Sequence, residues 1–116
     1  MNIYQQIEAE IKAASNIVIT SHKSADGDSI GSSLGLLHFI EKLGKKAIVC
    51  HPDPAPKFLY WLDTADFLLM SDHPEAVTDA FAAADLVFCL DYNATSRIGN
   101  DMQILLEGLS CKTVMM

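Results

Sequence analysis

Apolar residues recur with helical spacing in four parts of the chain. Isoleucines four residues apart near the amino terminus predict an amphipathic helix over residues 2–14. From Ser29 to Leu43 apolar side chains occur on nearly all sides, which predicts a buried helix that stops at Gly44. A proline followed by helix-forming residues predicts a third helix over 73–84, and leucines along 102–109 predict a fourth.

Short apolar runs lie between these helices. Each run is too brief for a helix and is typical of a strand buried in a parallel sheet. The runs are residues 16–20, 46–50, 66–70, 85–91 and 111–116, of which 66–70 is the weakest. Because strands alternate with helices over short linkers, the predicted fold class is α/β, a parallel β-sheet flanked by helices and built from right-handed βαβ units.

Prolines interrupt the chain after the second strand. Residues 51–57 (HPDPAPK) hold three of them, which predicts a loop, and the aromatic residues that follow predict one helical turn. His51 and His73 each precede a proline and are predicted to be surface residues of loops. His38 falls in a mostly apolar helix and is predicted either to be packed or to extend its ring to solvent.

Polar side chains follow the first and fourth predicted strands where each strand ends. The sequence SHKSADGDSIGSSLG, residues 21–35, places His22, Asp26 and Asp28 after the first strand, and Asp91 closes the fourth. Because parallel strands end at a common edge, one imidazole and three carboxylates are expected to converge there. This oxygen-rich set suits Mn²⁺ or Mg²⁺ better than a structural zinc. Two such ions would clamp a phosphoryl group.

Three other interpretations of this segment remain open. Asp28 and Ser29 are typical of residues that cap a helix. The sequence GDSIG also fits the G-x-S-x-G pattern of a serine esterase with Ser29 as nucleophile, although the predicted strand ends about nine residues earlier. Gly27 and Gly31 would let backbone N–H groups at the start of the helix approach a phosphate.

Composition narrows the class of protein. A chain of 116 residues, 50% apolar and 20% charged, is long enough for one domain with a core. A net charge of −7 with 8 Lys and Arg does not favour a nucleic-acid groove within this segment alone. The three cysteines lie in or beside strands and are predicted to be reduced core residues. The polar amino terminus and the lack of an apolar run of ~20 residues predict a cytoplasmic protein without a membrane partner.

Two segments resemble the motifs of a known family. HKSADGDSIGSSLGL, from His22 to Leu36, resembles the first motif of the DHH phosphoesterase superfamily, and LDYNATSRIG, residues 90–99, resembles the second. The last strand, KTVMM, is similar to the one that precedes the Asp-His-His triplet of the family. The resemblance covers essentially the whole chain. Within the superfamily, the chain most resembles the branch of the bacterial nanoRNases and 3′-phosphoadenosine-5′-phosphate phosphatases, relatives of RecJ-like exonucleases.

The resemblance implies a site for two Mn²⁺ ions, with Mg²⁺ as the alternative. On this chain His22 and Asp26 would hold one ion, Asp28 would hold the other, and Asp91 would bridge both. Arg97 would orient the acidic loop or contact a substrate phosphate. The implied activity is hydrolysis of phosphodiester or phosphomonoester bonds in short oligonucleotides or 3′,5′-bisphosphorylated nucleosides, with pyrophosphate, polyphosphate and cyclic dinucleotides as other substrate classes.

The chain stops at Met116, where the family would next place Asp-His-His and later a substrate domain. Residues 1–116 are therefore expected to form a truncated N-terminal DHH-type metal-binding domain. It should bind one ion moderately and a second poorly, and turn over little or no substrate. A non-catalytic domain is the alternative. An exposed last strand can pair with a second copy, so a homodimer is one expected assembly.

Overall fold

A computed structural model describes residues 3–21, 27–51, 67–70, 72–90, 108 and 111–115. In these residues the helices are α1 (Ile3–Ala13), α2 (Gly27–Lys42) and α3 (Pro74–Ala83). The strands are β1 (Ile17–Ser21), β2 (Ala47–His51), β3 (Leu68–Leu69), β4 (Leu86–Leu90) and β5 (Lys112–Met115). All eight elements were predicted, with ends within two residues of those observed. The predicted helix over 102–109 falls outside the described residues except for Gly108.

The strands form one parallel sheet in the order β3-β2-β1-β4-β5. β1 lies at its centre, where Ile17 pairs with Ala47 on one side and with Leu86 on the other. The chain moves outward from β1 to β3, then returns to place β4 and β5 on the opposite side of β1. All residues of β1 and β4 are buried, as expected for central strands of a parallel sheet covered on both faces. The α/β fold class is therefore confirmed.

Two apolar clusters cover the two faces of the sheet. Alternate strand residues, including Ile19 and Phe88, pack with α1 and α2. The intervening residues, including Val18 and Val87, pack with α3 through Val77. A right-handed βαβ crossover places its helix on opposite faces when the chain moves in opposite directions across the sheet. That handedness accounts for the positions of α2 and α3.

The carboxyl end of α2 is closed at Gly44, as predicted. Gly44 has a φ of +79°. Its N–H donates to the carbonyl of Glu41 at 3.0 Å, and the N–H of Lys45 donates to the carbonyl of Ile40 at 3.2 Å. These two bonds form a Schellman motif, which satisfies carbonyl groups that the helix itself leaves open. The left-handed backbone at Gly44 directs the chain into β2.

The rest of α2 is less buried than predicted. Ile30, Ser33 and Ile40 are buried against the sheet, whereas Phe39 is 43% exposed. His38 is also exposed, and its Nδ1 lies 3.6 Å from Oε1 of Glu41. The prediction of a buried helix was therefore wrong, whereas the exposed His38 agrees with the second of its two predicted positions. α2 lies on one face of the sheet, so only one stripe of its apolar residues is buried.

His51 is the other incorrect prediction. It is the last residue of β2 and is only 1% exposed, not a surface residue of a loop. Its carbonyl accepts a hydrogen bond from the N–H of Met70 at 2.9 Å, which extends the pairing of β2 with β3. His73 is exposed, as predicted, and precedes Pro74 at the start of α3. Residues 52–66, with the predicted proline loop and aromatic turn, lie outside the described residues.

The three cysteines are free thiols, as predicted. Cys50 and Cys89 are buried in the sheet, and Cys111 is half-buried. Burial raises the pKa of the Cys50 thiol to about 12, so this side chain is neutral and unreactive at physiological pH. Of the helices in the described part of the chain, none is both long and apolar enough to span a bilayer.

Candidate functional site

The reversal in strand order lies between β1 and β4. Strands β2 and β3 extend the sheet on one side of β1, and β4 and β5 extend it on the other. In an open α/β sheet, the loops at such a point part to opposite faces and leave a crevice at the carboxyl ends of the two strands. Ser21 and Leu90, the last residues of β1 and β4, are register partners. His22 and Asp91 follow them in the sequence and lie outside the described residues.

Two buried hydroxyl groups join β1 and β4 near this edge. Thr20 Oγ1 donates to the carbonyl of Phe88 at 3.1 Å, and Ser21 Oγ donates to the carbonyl of Leu90 at 3.2 Å. Both side chains are fully buried, where a hydrogen bond stabilises more than it would in water. These bonds supplement the backbone ladder and fix the ends of the two strands relative to each other.

The next described element after β1 is α2. The helix begins at Gly27, so Asp28 and Ser29 lie in its first turn, and Asp26 immediately precedes it outside the described residues. A nucleophile elbow requires its serine at a sharp turn between a strand and a helix. Ser29 is instead the third residue of a helix that starts six positions after β1 ends. This position does not favour the serine esterase interpretation.

Ser33 and His51 form a buried polar contact that sequence reasoning missed. Ser33 Oγ lies 3.1 Å from Nε2 of His51, and the two residues are 0% and 1% exposed. The His51 ring also packs against Phe67, with ring centroids 4.9 Å apart and planes inclined by 35°. One sequence signal was available: His51 directly continues the apolar run of β2. The proline that follows His51 indicated a loop instead.

Asp85 lies at the opposite, amino edge of the sheet. Its carboxylate accepts hydrogen bonds from the backbone N–H groups of Ser15 at 2.8 Å and Asn16 at 2.9 Å. These bonds, that of Ser15 first, lower the pKa of Asp85. The carboxylate therefore joins the end of α1 to the start of β4. Asp85 thus has a structural role at the edge opposite the one at which the predicted ligands follow β1 and β4.

The predicted ligands suit a divalent metal by their chemistry. One imidazole and three carboxylates form a hard, mainly oxygen donor set of the kind that Mn²⁺ and Mg²⁺ prefer. Because β1 pairs with β4, the two segments that carry these predicted ligands follow neighbouring strand ends in the sequence. Among the residues that the structure describes, no group of three His, Cys, Asp or Glu could hold a metal ion. Arg97, like His22, Asp26 and Asp91, lies outside them.

The strand order defines a parallel α/β domain whose topological switch point lies between β1 and β4. The chain belongs to the DHH family: the N-terminal domain of that family matches residues 16–112. The crystal structure of an exopolyphosphatase-related protein from Bacteroides fragilis is similar, with a TM-score of 0.90 and 37% sequence identity. The match covers 96% of this chain and 33% of that protein, so the chain spans about a third of its length. No curated protein matches the chain.

Proposed function

We propose that this chain carries the metal-binding part of a manganese-dependent phosphoesterase. Three observations support the proposal: the family match, the similarity to an exopolyphosphatase-related protein, and the pairing of Ser21 with Leu90. The pairing is the observation on which the proposal mainly rests. Because of this pairing, the segments that begin at His22 and Asp91 follow adjacent strands. They do so at the edge where parallel α/β sheets bind ligands.

Each proposed ligand has one role. His22 and Asp26 hold one ion, Asp28 holds the second, and Asp91 bridges the two. When bound, the ions supply Lewis acidity that neutralises charge developing on the phosphoryl oxygens and lowers the pKa of a nucleophilic water. Without cations, three carboxylates at one edge of a chain with a net charge of −7 would repel an anionic substrate.

The residues around the ligands position them and the substrate. Thr20 and Ser21 hold the ends of β1 and β4 in register, which limits the separation of the segments that follow. Arg97 donates hydrogen bonds to a substrate phosphate, for which the planar guanidinium is well suited. The proposed substrates are short oligonucleotides and 3′,5′-bisphosphorylated nucleosides, as in the nanoRNase and nucleotide phosphatase branch. Polyphosphate is included because the similar Bacteroides fragilis protein is described as exopolyphosphatase-related.

Calorimetric titration of Mn²⁺ tests the metal site. The wild-type chain is expected to bind Mn²⁺, and Asp91→Asn should weaken binding at least tenfold because it removes the bridging charge. Asp85→Asn is the matched control, since it removes the same charge at the opposite edge of the sheet. It should leave the affinity unchanged. Equal losses in the two variants would show non-specific attraction to an acidic protein and contradict the proposal.

Hydrolysis is tested on the intact protein with a panel of three substrates: a dinucleotide, a bisphosphorylated nucleoside and polyphosphate. Product formation should require Mn²⁺ and stop when EDTA is added. The substrate hydrolysed with the highest kcat/KM would define the branch. Hydrolysis that survives EDTA but is lost in Ser29→Ala would instead support a serine esterase.

A further inference from the structure

The contact between Ser33 and His51 links α2 to the carboxyl edge of the sheet. Ser33 lies on the buried stripe of α2, three residues after Ile30, and His51 is the last residue of β2. The two side chains meet at 3.1 Å and are almost completely buried. A buried polar contact of this kind is costly to disrupt, because water does not replace a hydrogen bond lost in the interior.

His51 has two further contacts, with Phe67 and Met70. Its ring packs against Phe67, and its carbonyl accepts the N–H of Met70. The ring contact restricts the side chain of His51 and the backbone bond fixes its main chain, so Nε2 is held where it meets Ser33. The hydroxyl of α2 therefore meets a preorganised partner.

We propose that Ser33 and His51 are positioning residues for the metal site, acting by fixing the first turn of α2, which carries Asp28. The inference rests on the proposed function, because it assumes that Asp28 binds a metal. These two residues are outside the proposed ligand set, and through His51 they make metal affinity depend on a third strand, β2.

The geometry of a helix explains why one hydrogen bond would have this effect. Ser33 follows Asp28 by five residues, which is ~7.5 Å along the axis and less than one and a half turns. The apolar contacts of α2 with the sheet are not directional and allow the helix to slide or rotate slightly. A hydrogen bond weakens steeply with angle, so it sets the rotation of α2 about its axis. A small rotation there displaces the residues of the first turn together.

A matched pair of substitutions isolates the hydrogen bond. His51→Gln and His51→Met both lose the ring contact with Phe67 and have similar length, but only Gln retains a polar group able to reach Ser33. In a titration with Mn²⁺ alone, His51→Met should bind the ion about threefold to tenfold more weakly than wild type. That loss is smaller than the usual effect of removing a residue that contacts a metal ligand directly. His51→Gln should bind Mn²⁺ within about twofold of wild type. Ser33→Ala should weaken Mn²⁺ binding as much as His51→Met does. Ser33→Thr keeps the hydroxyl group and should retain the wild-type affinity.

A control separates positioning from general loss of stability. Ile40→Val removes one methylene from the buried stripe of the same helix, two turns away, and should lower the melting temperature by about 4 °C. Its affinity for Mn²⁺ should equal that of wild type. If Ile40→Val weakened binding as much as Ser33→Ala, or if the Gln and Met variants bound equally, the positioning role would be overturned. A wild-type chain that does not bind Mn²⁺ would overturn this inference together with the proposed function.

Discussion

Buried polar residues mark the edge of the sheet on which the candidate site is proposed. In the described part of the chain, the buried polar side chains are those of Thr20, Ser21, Ser33 and His51. Three of them lie in the last two residues of β1 or β2, and the fourth, Ser33, contacts His51. None of the buried side-chain polar atoms described lacks a hydrogen-bond partner. Polar groups in a core are stable only with such partners, so the buried polar side chains near this edge are held by hydrogen bonds.

Asp85 stabilises the opposite edge in a manner that depends on pH. The backbone N–H groups of Ser15 and Asn16 lower its pKa in the folded protein. A carboxyl group with a lowered folded pKa contributes stability above its unfolded pKa, near 4, and loses that contribution as the pH falls through the folded value. Asp85→Ala should therefore unfold at lower urea concentration than wild type at pH 7, and the difference should shrink below about pH 4.

Asp79→Ala is the control for that measurement. Asp79 is an exposed acid of α3, so its removal changes the net charge by the same amount. The measurement is the urea midpoint of unfolding of wild type, Asp85→Ala and Asp79→Ala at several pH values between 2.5 and 7. A constant difference between wild type and Asp85→Ala across that range would show that the carboxylate contributes nothing through its charge.

The elements were predictable because each has a strong local pattern. Apolar runs of β-branched residues identified β1, β2 and β4, and the proline of α3 and the glycine after α2 identified helix ends. Depth of burial was not predictable for α2. Its periodicity shows which residues are apolar, but the burial of Phe39 depends on how much of the helix other elements cover, which is a tertiary property. His51 was misassigned for a similar reason, since a proline ends a strand at the residue before it as readily as it starts a loop.

Two glycines of the α2 region should respond to alanine in opposite directions. An added Cβ would meet nothing within 4 Å at Gly35 or Gly44, so packing does not decide either result. At Gly44 the φ of +79° is unfavourable for alanine, and Gly44→Ala should destabilise the protein by about 1–2 kcal/mol. Gly35 lies in the middle of α2, where Gly35→Ala should stabilise it by about 0.5–1 kcal/mol. Urea unfolding of both variants measures these changes, and a stabilising Gly44→Ala would contradict the helix end described.

At the scale of the whole molecule, strand order supplied what sequence patterns lacked. The sequence indicated the ligand types and that each segment follows a strand, but two strands 69 residues apart share no local signal of pairing. The order β3-β2-β1-β4-β5 makes β1 and β4 neighbours at the reversal. The prediction that Asp91 and the first motif share an edge thus gains support from topology. The identity of the ligands themselves stays a prediction.

A divalent metal should stabilise the whole fold, because an ion that binds only the folded chain shifts the unfolding equilibrium. At a Mn²⁺ concentration 100 times the dissociation constant, the gain is about 2.7 kcal/mol, or roughly 10 °C in melting temperature for a domain of this size. EDTA should reverse the increase. NaCl at the same ionic strength controls for screening among the charges that give the chain its net −7. If NaCl raised the melting temperature as much as Mn²⁺, or if Asp91→Asn responded to Mn²⁺ as wild type does, stabilisation would come from screening and not from the proposed site.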